Sequence, residues 1–487
     1  MDKKAGILLP IFSLPSKYGI GSLGKSAFDF VDFLHSTNQS FWQVLPLNPT
    51  IYGDSPYQSP SAFAGNHYFI DIDTLIEDGL LSKEFAEEFQ INSARVDYGY
   101  CFESRLALLK KAFESFDVKD WGYIAFKQDN DFWLDDYALF MSIKEHRDNS
   151  SWNTWAKKEK RRLNLNKLQK KYADKMEFWK FAQYEFFKQY ARVKTYANSK
   201  GIEIIGDMPI YVALDSVDVW SKPQNYLLDK YLEPTVVAGV PPDAFSADGQ
   251  LWGNPIYNWK RMKKDKFEWW IDRLRIAYTL YDIIRIDHFR GFEAYYVVDS
   301  QSQTARDGEW IKGVGFKLFQ EINKCLPDAK IIAEDLGVIT PKVRRLLKKT
   351  GYPGMKVLQF AFGDPKSDYL PKNIKSSNCV VYTGTHDNMT TPQWFDNLTE
   401  YERNLYKKSC KPKKGEDDTH CLIRVAMSTK AERVIIPMGD YLGLKSEGRI
   451  NALSTTEDNW SWRLDENYDT PELREYIISL TNYRYRK

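Results

Sequence analysis

Short apolar runs that end in polar, glycine-containing turns recur along the chain. The runs are AGILLP (5–10), FWQVLPLNP (41–49), IEIIGDMPI (202–210), DIIRIDHFRG (282–291), KIIAEDLG (330–337), GMKVLQFAFGD (354–364), CVVYTGTHDN (379–388) and RVIIPMGDYLG (433–443). Such runs are typical of strands that are buried on both faces. Between the later runs, apolar residues recur with helical spacing at 314–324, 341–350 and 400–409. Eight strands that alternate with helices predict the α/β class and a (β/α)8 TIM barrel.

A doubly wound open sheet also alternates strands with helices, so it is the alternative fold. The nucleotide-binding version of that fold carries GxGxxG after its first strand. Here GIGSLG (19–24) has the GxGxxG spacing, but IFSLPSKY separates it from the first predicted strand, whereas the nucleotide-binding motif follows its strand directly. The barrel is therefore the favoured prediction.

A long helical segment separates the second predicted strand from the third. Apolar residues within 176–201 recur every three or four positions, and Gly201 can end this helix. The preceding stretch, 70–175, is highly charged and also has a helical pattern. We therefore expect a single catalytic domain over 1–487 with an inserted, helix-rich subdomain at 70–175.

The charge of the chain is balanced, with 68 basic and 66 acidic residues. Proteins that bind nucleic acids or anionic membranes usually present a basic stripe, so neither partner is predicted. No apolar run approaches the length of a transmembrane helix. The five cysteines lack CxxC or Cys/His spacing, which predicts reduced thiols, a cytoplasmic location and no metal. No cofactor-binding motif is recognised.

Aromatic residues make up 15% of the chain, and some lie beside Gly, Pro and Asp in loop-like stretches, at 52–66 and 241–259. Rings next to polar groups suit flat ligands that carry hydroxyl groups, such as sugars. The alternative is that these rings only hold the loops against the body of the protein. We expect 238–259 to form a loop that covers the active-site cleft.

Acidic residues lie at the ends of four predicted strands. They are Asp207, Asp287, Glu334 with Asp335, and Asp387, which follows His386. Each acid alone has a purely structural explanation, such as an ion pair with an arginine, a helix cap or an Asx turn. The carboxyl ends of barrel strands meet at one rim, where the active sites of this fold lie. Four acids at corresponding positions therefore predict one shared site.

Carboxylates without a metal motif or a Ser/His or Cys/His pair suit the cleavage of glycosidic bonds. A retaining enzyme needs one ionised carboxylate that attacks the sugar and one protonated acid that assists the leaving oxygen. Arg285 shares a strand face with Asp287 and favours its ionised form, which makes Asp287 the better nucleophile. Glu334 follows an apolar strand that can raise its pKa, which makes it the better acid/base. Asp387 with His386 would stabilise positive charge or bind hydroxyl groups.

Longer motifs accompany these acids. They are GILLPIFSLPSKYGIGSLG (6–24), GDMPIYVALDSVDVW (206–220), GQLWGNPIYNW (249–259) and RINALSTTEDNWSWR (449–463), together with RIDHFRG, AEDLG and GTHDN. In these motifs the chain resembles the 4-alpha-glucanotransferases, also called amylomaltases or disproportionating enzymes, of the α-amylase clan. The resemblance covers nearly the whole chain. It implies a (β/α)8 barrel with helical insertions and no separate C-terminal β-domain.

The resemblance also implies a reaction and its residues. An α-1,4 bond of a glucan is broken, a covalent glucosyl–enzyme intermediate forms, and the segment passes to the 4-hydroxyl of another sugar. Asp287 matches the nucleophile, Glu334 the acid/base and Asp387 the third carboxylate, which stabilises the transition state. The implied substrate-binding residues are Tyr52, Ser55, Tyr57, Asp207, Asp243, Phe245, Gln250, Trp252, Arg285, His386 and Asn451. The implied partners are maltooligosaccharides and α-1,4-glucans.

The chain departs from the family pattern in two places. Pro10 and Phe12 stand where the family often has histidine and threonine, and Leu453 stands where it often has proline. Neither change touches a carboxylate. The departures therefore concern the outer sugar subsites and the preferred chain length, and not the class of reaction.

The carboxylates alone do not separate transfer from hydrolysis, because both reactions share the covalent intermediate. A loop rich in aromatic residues that excludes water would favour transfer. An α-glucan hydrolase is the first alternative. A non-catalytic glucan-binding barrel is the second, since it would keep the aromatic rings without needing the carboxylates.

Overall fold

The computed structural model describes residues 3–242, 246–453, 455 and 457–482. The strands within these ranges are β1 (Lys4–Leu8), β2 (Phe41–Gln43), β3 (Glu203–Met208), β4 (Val236–Val240), β5 (Gln250–Pro255), β6 (Ile283–Ile286), β7 (Ala294–Asp299), β8 (Glu309–Lys312), β9 (Ile331–Ala333), β10 (Gly354–Val357), β11 (Cys379–Tyr382) and β12 (Arg433–Pro437). Eight of them form a closed parallel barrel with the order β1-β12-β11-β10-β9-β6-β3-β2. The predicted barrel is therefore confirmed. The open-sheet alternative is wrong, because β1 pairs with β12 and closes the sheet.

Close packing of neighbouring barrel strands explains the glycine in the first one. Gly6 pairs with Phe41 of β2 and with Ile435 of β12. A Cβ atom at position 6 would lie 2.4 Å from the Cβ of Phe41, closer than two carbon atoms can approach. The absence of a side chain at Gly6 thus lets three strands meet tightly where the barrel closes.

A second, antiparallel sheet with the order β5-β4-β7-β8 was not predicted. The segment at 238–259, expected to be a loop, instead contains part of β4 and all of β5. These strands pair with Gly239 opposite Leu251, and β4 also pairs with β7. Gly249 at the start of β5 has a φ of +68° and approaches the Val240 carbonyl so closely that a Cβ would lie 2.4 Å from it. Strands β4 and β5 thus form an antiparallel pair, which we call the β4–β5 hairpin.

Helices surround the barrel and fill the segment between β2 and β3. Those within the described ranges are α1 (Lys25–Ser36), α2 (Ile72–Glu77), α3 (Lys83–Glu87), α4 (Tyr98–Glu114), α5 (Trp121–Asp129), α6 (Asp131–His146), α7 (Lys157–Lys160), α8 (Leu165–Lys171), α9 (Ala173–Ser199), α10 (Val217–Ser221), α11 (Trp259–Met262), α12 (Glu268–Leu280), α13 (Phe316–Cys325), α14 (Pro341–Thr350), α15 (Thr391–Asp396), α16 (Glu400–Cys410), α17 (Asp418–Ser428), α18 (Met438–Tyr441) and α19 (Pro471–Thr481). Helices α2 to α8 lie between β2 and α9, in the stretch where inserted helices were expected. In the part of the chain that the structure describes, no helix is long and apolar enough to cross a membrane.

Local signals in the sequence explain where two of these helices begin and end. Gly201, with a φ of +77°, follows α9, which confirms the long helix predicted at 176–201. At α14 the Thr340 side chain accepts a hydrogen bond from the Val343 amide, and Pro341 occupies the first turn. Gly351 ends α14 in the left-handed conformation, as glycine commonly does after a helix. Helix α14 follows β9 and so helps to fix the strand end that carries Glu334.

Candidate active site

Four acidic side chains lie at the carboxyl ends of barrel strands. Asp207 lies within β3, whereas Asp287, Glu334 and Asp387 follow β6, β9 and β11. Strands β3, β6 and β9 are neighbours in the barrel, and all four strands are parallel. Parallel strands direct their carboxyl ends to the same rim, which is the rim that carries active sites in this fold.

Arg285 lies between two of these acids. Its Nη1 donates to both oxygens of Asp207, at 2.7 and 2.6 Å, and its Nη2 lies 3.1 Å from Oδ1 of Asp287. The Asp207 side chain is 0% exposed and that of Arg285 is 4% exposed, whereas that of Asp287 is 29% exposed. Asp207 thus lies beneath the site with its oxygens occupied, and Asp287 faces the cleft.

Burial and charge act in opposite directions on Asp287. Burial raises the pKa of Asp287 to about 6, and the Arg285 guanidinium lowers it by a smaller amount. The charges of Asp207 and Asp387 add to the rise. Arg285 therefore favours the ionised carboxylate, as its sequence position suggests, but burial is the larger influence.

Glu334 is the weaker acid of the two. Burial first, and then the charge of Asp287, raise the pKa of Glu334 to about 7. Its Oε2 accepts a hydrogen bond from the His288 amide at 2.8 Å, and its Oε1 accepts one from the Leu336 amide at 2.7 Å. Two backbone donors thus fix the orientation of a carboxyl group that is partly protonated at neutral pH.

Asp387 has the opposite environment. Its Oδ1 accepts a hydrogen bond from Asn451 Nδ2 at 2.6 Å, and its Oδ2 lies 3.3 Å from His386 Nε2. Burial favours the neutral acid, but His386 and the Asn451 hydrogen bond outweigh it and hold the pKa of Asp387 at about 2. With a side chain that is 35% exposed, Asp387 presents a permanent negative charge to the cleft.

A tyrosine hydroxyl connects Asp207 with His386. Tyr57 Oη donates to Oδ2 of Asp207 at 2.8 Å and lies 2.8 Å from His386 Nε2. The hydroxyl has a single proton, so His386 Nε2 must carry a proton and donate it to the Tyr57 oxygen. Burial lowers the pKa of His386, but Asp387 outweighs it and the net shift is upward. A proton on His386 Nε2 accounts for the contacts of this nitrogen with Tyr57 and with Asp387.

The other residues that were predicted to bind substrate make contacts outside this network. Ser55 accepts a hydrogen bond from the Tyr57 amide at 3.2 Å, and Gln250 accepts one from Trp252 Nε1 at 3.1 Å. The Trp252 ring packs edge-on against His288, with ring centroids 4.8 Å apart. Three predictions fall on parts that the structure leaves undescribed: Asp243 and Phe245 lie outside the described residues, and so does the side chain of Tyr52.

Trp460 and His288 lie near the site but were not predicted to have a role there, whereas Asp335 was predicted there beside Glu334. Trp460 packs near Tyr57 and His386, with centroid distances of 5.7 and 6.0 Å. Asp335, considered from the sequence as a possible helix cap, instead accepts a hydrogen bond from the Met355 amide of β10 at 2.7 Å. His288 adopts a left-handed conformation that no sequence signal indicates for histidine.

Within the described ranges, no group of three or more His, Cys, Asp or Glu side chains is placed to bind a metal. The positive charge among the carboxylates comes from Arg285. Carboxyl groups in general can transfer a proton or attack a sugar carbon.

Comparison with known proteins gives one consistent result. The family model described as 4-alpha-glucanotransferase matches residues 9–468. The 4-alpha-glucanotransferase of Clostridium butyricum is 50% identical over 479 residues, which cover 97% of this chain and 98% of the relative. The 4-alpha-glucanotransferase of Streptococcus pneumoniae is 46% identical over 495 aligned positions, which cover 100% of this chain and 97% of the relative.

Solved structures agree with the sequence comparison. The amylomaltase from Streptococcus agalactiae, solved in complex with acarbose, superposes with a TM-score of 0.95 at 41% identity, over 99% of each chain. The similarity to the family model and to these relatives extends over nearly the whole chain and is not limited to single motifs. By fold, by site geometry and by these similarities, the chain belongs to the 4-alpha-glucanotransferase family.

Proposed function

We propose that this 4-alpha-glucanotransferase works by retaining double displacement, with Asp287 as nucleophile, Glu334 as acid/base and Asp387 as the transition-state-stabilising carboxylate. The observation that carries the proposal is the difference between the two reacting carboxyl groups. Glu334 is the weaker acid, and Asp287 is exposed to the cleft and in contact with Arg285. Environments that separate two pKa values in this way are a general indication of acid and nucleophile roles.

In the first half of the reaction, the Asp287 carboxylate attacks the anomeric carbon of the donor glucan. The bond from that carbon to the leaving 4-oxygen breaks, and Glu334 gives its proton to this oxygen. In the second half, the 4-hydroxyl of the acceptor gives its proton to Glu334 and forms a new bond to the anomeric carbon. The ester to Asp287 breaks, and both carboxyl groups return to their initial states.

Asp387 has a separate role in this proposal. The transition states carry positive charge on the sugar ring. Asp387 is held ionised by His386 and Asn451, so it supplies negative charge without accepting a proton. Fixed charges in a site that excludes water stabilise a transition state more strongly than the same charges in water.

We assign the substrate-binding residues on the resemblance and, for those that the structure describes, also on their place in the site. Those assigned to the sugar units are Tyr52, Ser55, Tyr57, Asp243, Phe245, Gln250, Trp252, His386 and Asn451. The burial of Asp207 and Arg285 supports an indirect role, in which Asp207 holds Arg285 and Arg285 keeps Asp287 in position.

We propose a single catalytic domain over 1–487, in which 70–175 is an inserted subdomain and 238–259 covers the cleft. The contact between Trp252 of the β4–β5 hairpin and His288, which follows Asp287 directly, supports the last point. A cover with aromatic side chains would hold an acceptor sugar and exclude water, which favours transfer over hydrolysis.

The proposed substrates are maltooligosaccharides and α-1,4-glucans. The Streptococcus agalactiae amylomaltase binds acarbose, which supports an oligosaccharide ligand here. A cytoplasmic location is proposed because the five cysteines are all free thiols. The balanced charge supports neither a nucleic acid nor a membrane as partner.

Incubation with pure maltotriose tests the reaction. We expect glucose and longer maltooligosaccharides to form while the total number of reducing ends stays constant, because each transfer breaks one bond and makes another. Product sizes are followed by chromatography and reducing ends by a colorimetric assay. A rise in reducing ends with only shorter products would mean hydrolysis and would contradict the proposed exclusion of water.

The pH dependence of kcat/KM tests the pair of carboxyl groups. Activity requires Asp287 ionised and Glu334 protonated, so the rate should fall below about pH 6 and above about pH 7. Because Asp287 and Glu334 interact, the acidic and alkaline limbs of the pH profile report apparent pKa values of the pair, and not of either residue alone. The measurement is the initial rate on maltotriose across this range. Asp335→Asn should keep both limbs but place the alkaline limb slightly lower, because the charge of Asp335 raises the pKa of Glu334. A profile without the alkaline limb would contradict the role of Glu334.

A further inference from the structure

His288 has an unusual backbone conformation directly after Asp287. Its φ is 49° and its ψ is 47°, in the left-handed region that residues with a Cβ rarely adopt. In this conformation the His288 amide donates a hydrogen bond of 2.8 Å to Oε2 of Glu334. If the chain on both sides stays in place, a residue with negative φ requires the peptide between Asp287 and His288 to rotate, and this rotation directs the N–H away from Glu334.

The imidazole ring of His288 is held tightly from two sides. The ring lies edge-on to Trp252 of the β4–β5 hairpin, with centroids 4.8 Å apart. On another side it approaches Gly291, where a Cβ atom would come within 3.1 Å of its Cδ2. Packing thus locks the side chain and stabilises the strained turn.

The ring of His288 contains one buried polar atom. Its Nε2 is buried and has no hydrogen-bond partner among the residues that the structure describes. Burying an unpaired polar atom costs free energy that an apolar side chain of similar size would avoid. Burial and the charge of Arg290 lower the pKa of His288 to about 3, so the ring is neutral during catalysis. The ring therefore acts through packing, and the backbone N–H is the group of His288 that contacts Glu334.

We propose that His288 is a positioning residue for proton transfer, because its left-handed turn, packed between Trp252 and Gly291, aims a backbone N–H at Glu334. This inference rests on the proposed role of Glu334 as acid/base. The His288 amide and the Leu336 amide hold one carboxyl oxygen each, so the carboxyl group is not free to rotate.

The hydrogen bond from His288 acts on the charge state of Glu334 as well as on its orientation. A donor to a carboxylate favours the ionised form and lowers its pKa. The other groups that act on Glu334 are Asp287 and Asp335, which raise its pKa, and Arg285, which lowers it. Tyr369 also faces Glu334, and its own pKa is raised. Without the His288 N–H, Glu334 should therefore keep its proton to a higher pH.

Two substitutions separate the backbone conformation from the imidazole ring. Asparagine tolerates the left-handed region, so His288→Asn removes the ring but keeps the turn. Valine is β-branched and disfavours positive φ, so His288→Val should turn the peptide away from Glu334. His288→Ala also disfavours positive φ with less bulk and serves if the valine variant does not fold.

The experiment is the pH profile of kcat and KM on maltotriose for the full-length variants. For His288→Val we expect the alkaline limb to move upward by about one pH unit, as loss of a hydrogen bond to a charged group implies. We expect kcat to fall about tenfold or more with little change in KM, since the acid/base is misplaced and binding is not. His288→Asn should keep the alkaline limb of the parent enzyme.

The outcomes are distinct. If both variants keep the parental alkaline limb, or if both shift it equally, the turn does not position Glu334 and the proposal is overturned. A parallel Glu334→Gln variant should lose the limb altogether. If it keeps the limb, the acid/base assignment itself fails and the role of His288 falls with it. If Glu334→Gln loses the alkaline limb while His288→Val leaves the limb at its parental pH, only the inference on His288 fails.

Discussion

Replacement of Asp287 by asparagine is expected to abolish transfer while the protein still binds glucan. Asparagine has nearly the same shape and can still contact Arg285, but its amide cannot form the glycosyl ester. Removal of a nucleophile lowers kcat by at least about 10⁴-fold in comparable covalent mechanisms. The rate on maltotriose and the binding of a maltooligosaccharide by calorimetry should be measured on the same preparation.

Asp335→Asn is the matched control for this change. Asp335 is also a buried carboxyl group at the barrel rim, and burial raises its pKa to about 6. Its contact is structural, with the Met355 amide, and an asparagine oxygen can accept the same hydrogen bond. We expect activity within about tenfold of the parent. A non-catalytic glucan-binding barrel would lose little at either position, so equal effects of the two changes would overturn the assignment of Asp287.

Glu334→Gln should have the second-largest effect. Loss of a general acid typically lowers the rate by about 10²- to 10⁴-fold, and the alkaline limb of the pH profile should disappear with the titrating group. The loss should be much smaller for the first half-reaction of a glucosyl fluoride, because fluoride leaves without a proton. Rates on maltotriose and on the fluoride therefore separate acid catalysis from binding.

Azide gives a further comparison between the two catalytic variants. In Glu334→Gln, azide should attack the covalent intermediate and yield an α-glucosyl azide. In Asp287→Asn, azide should replace the nucleophile itself and yield the β-product from an α-fluoride, because a single displacement inverts the anomeric carbon. The same anomer from both variants would show that the two roles are wrongly divided between these residues.

The barrel could be predicted because its signals are local. Each of its strands is a short apolar run followed by polar residues. Eight such runs that alternate with helices indicate a closed barrel. The antiparallel sheet could not be predicted in the same way. Strands β4 and β7 pair across a long separation in the chain, and the choice of a partner strand is not encoded in either run alone.

Prediction of the site shows the same division between local and distant information. The acids were found because a barrel places strand ends together, and Arg285 because it lies two residues before Asp287. The contacts that tune these acids come from distant loops: Tyr57 links Asp207 with His386, and Asn451 binds Asp387. The sequence also indicated the sign of the Arg285 effect, but the larger influence of burial depends on the whole tertiary structure.

The pairing of β1 with β12 has a consequence for the order of events during synthesis. The first strand leaves the ribosome early, but its partner at Arg433–Pro437 is made late. One edge of the growing sheet therefore stays open through most of translation, and unpaired edges invite association with other chains. Asn451, which holds Asp387, emerges later still. A nascent chain should thus acquire its catalytic competence in one late step, when the last strand closes the ring.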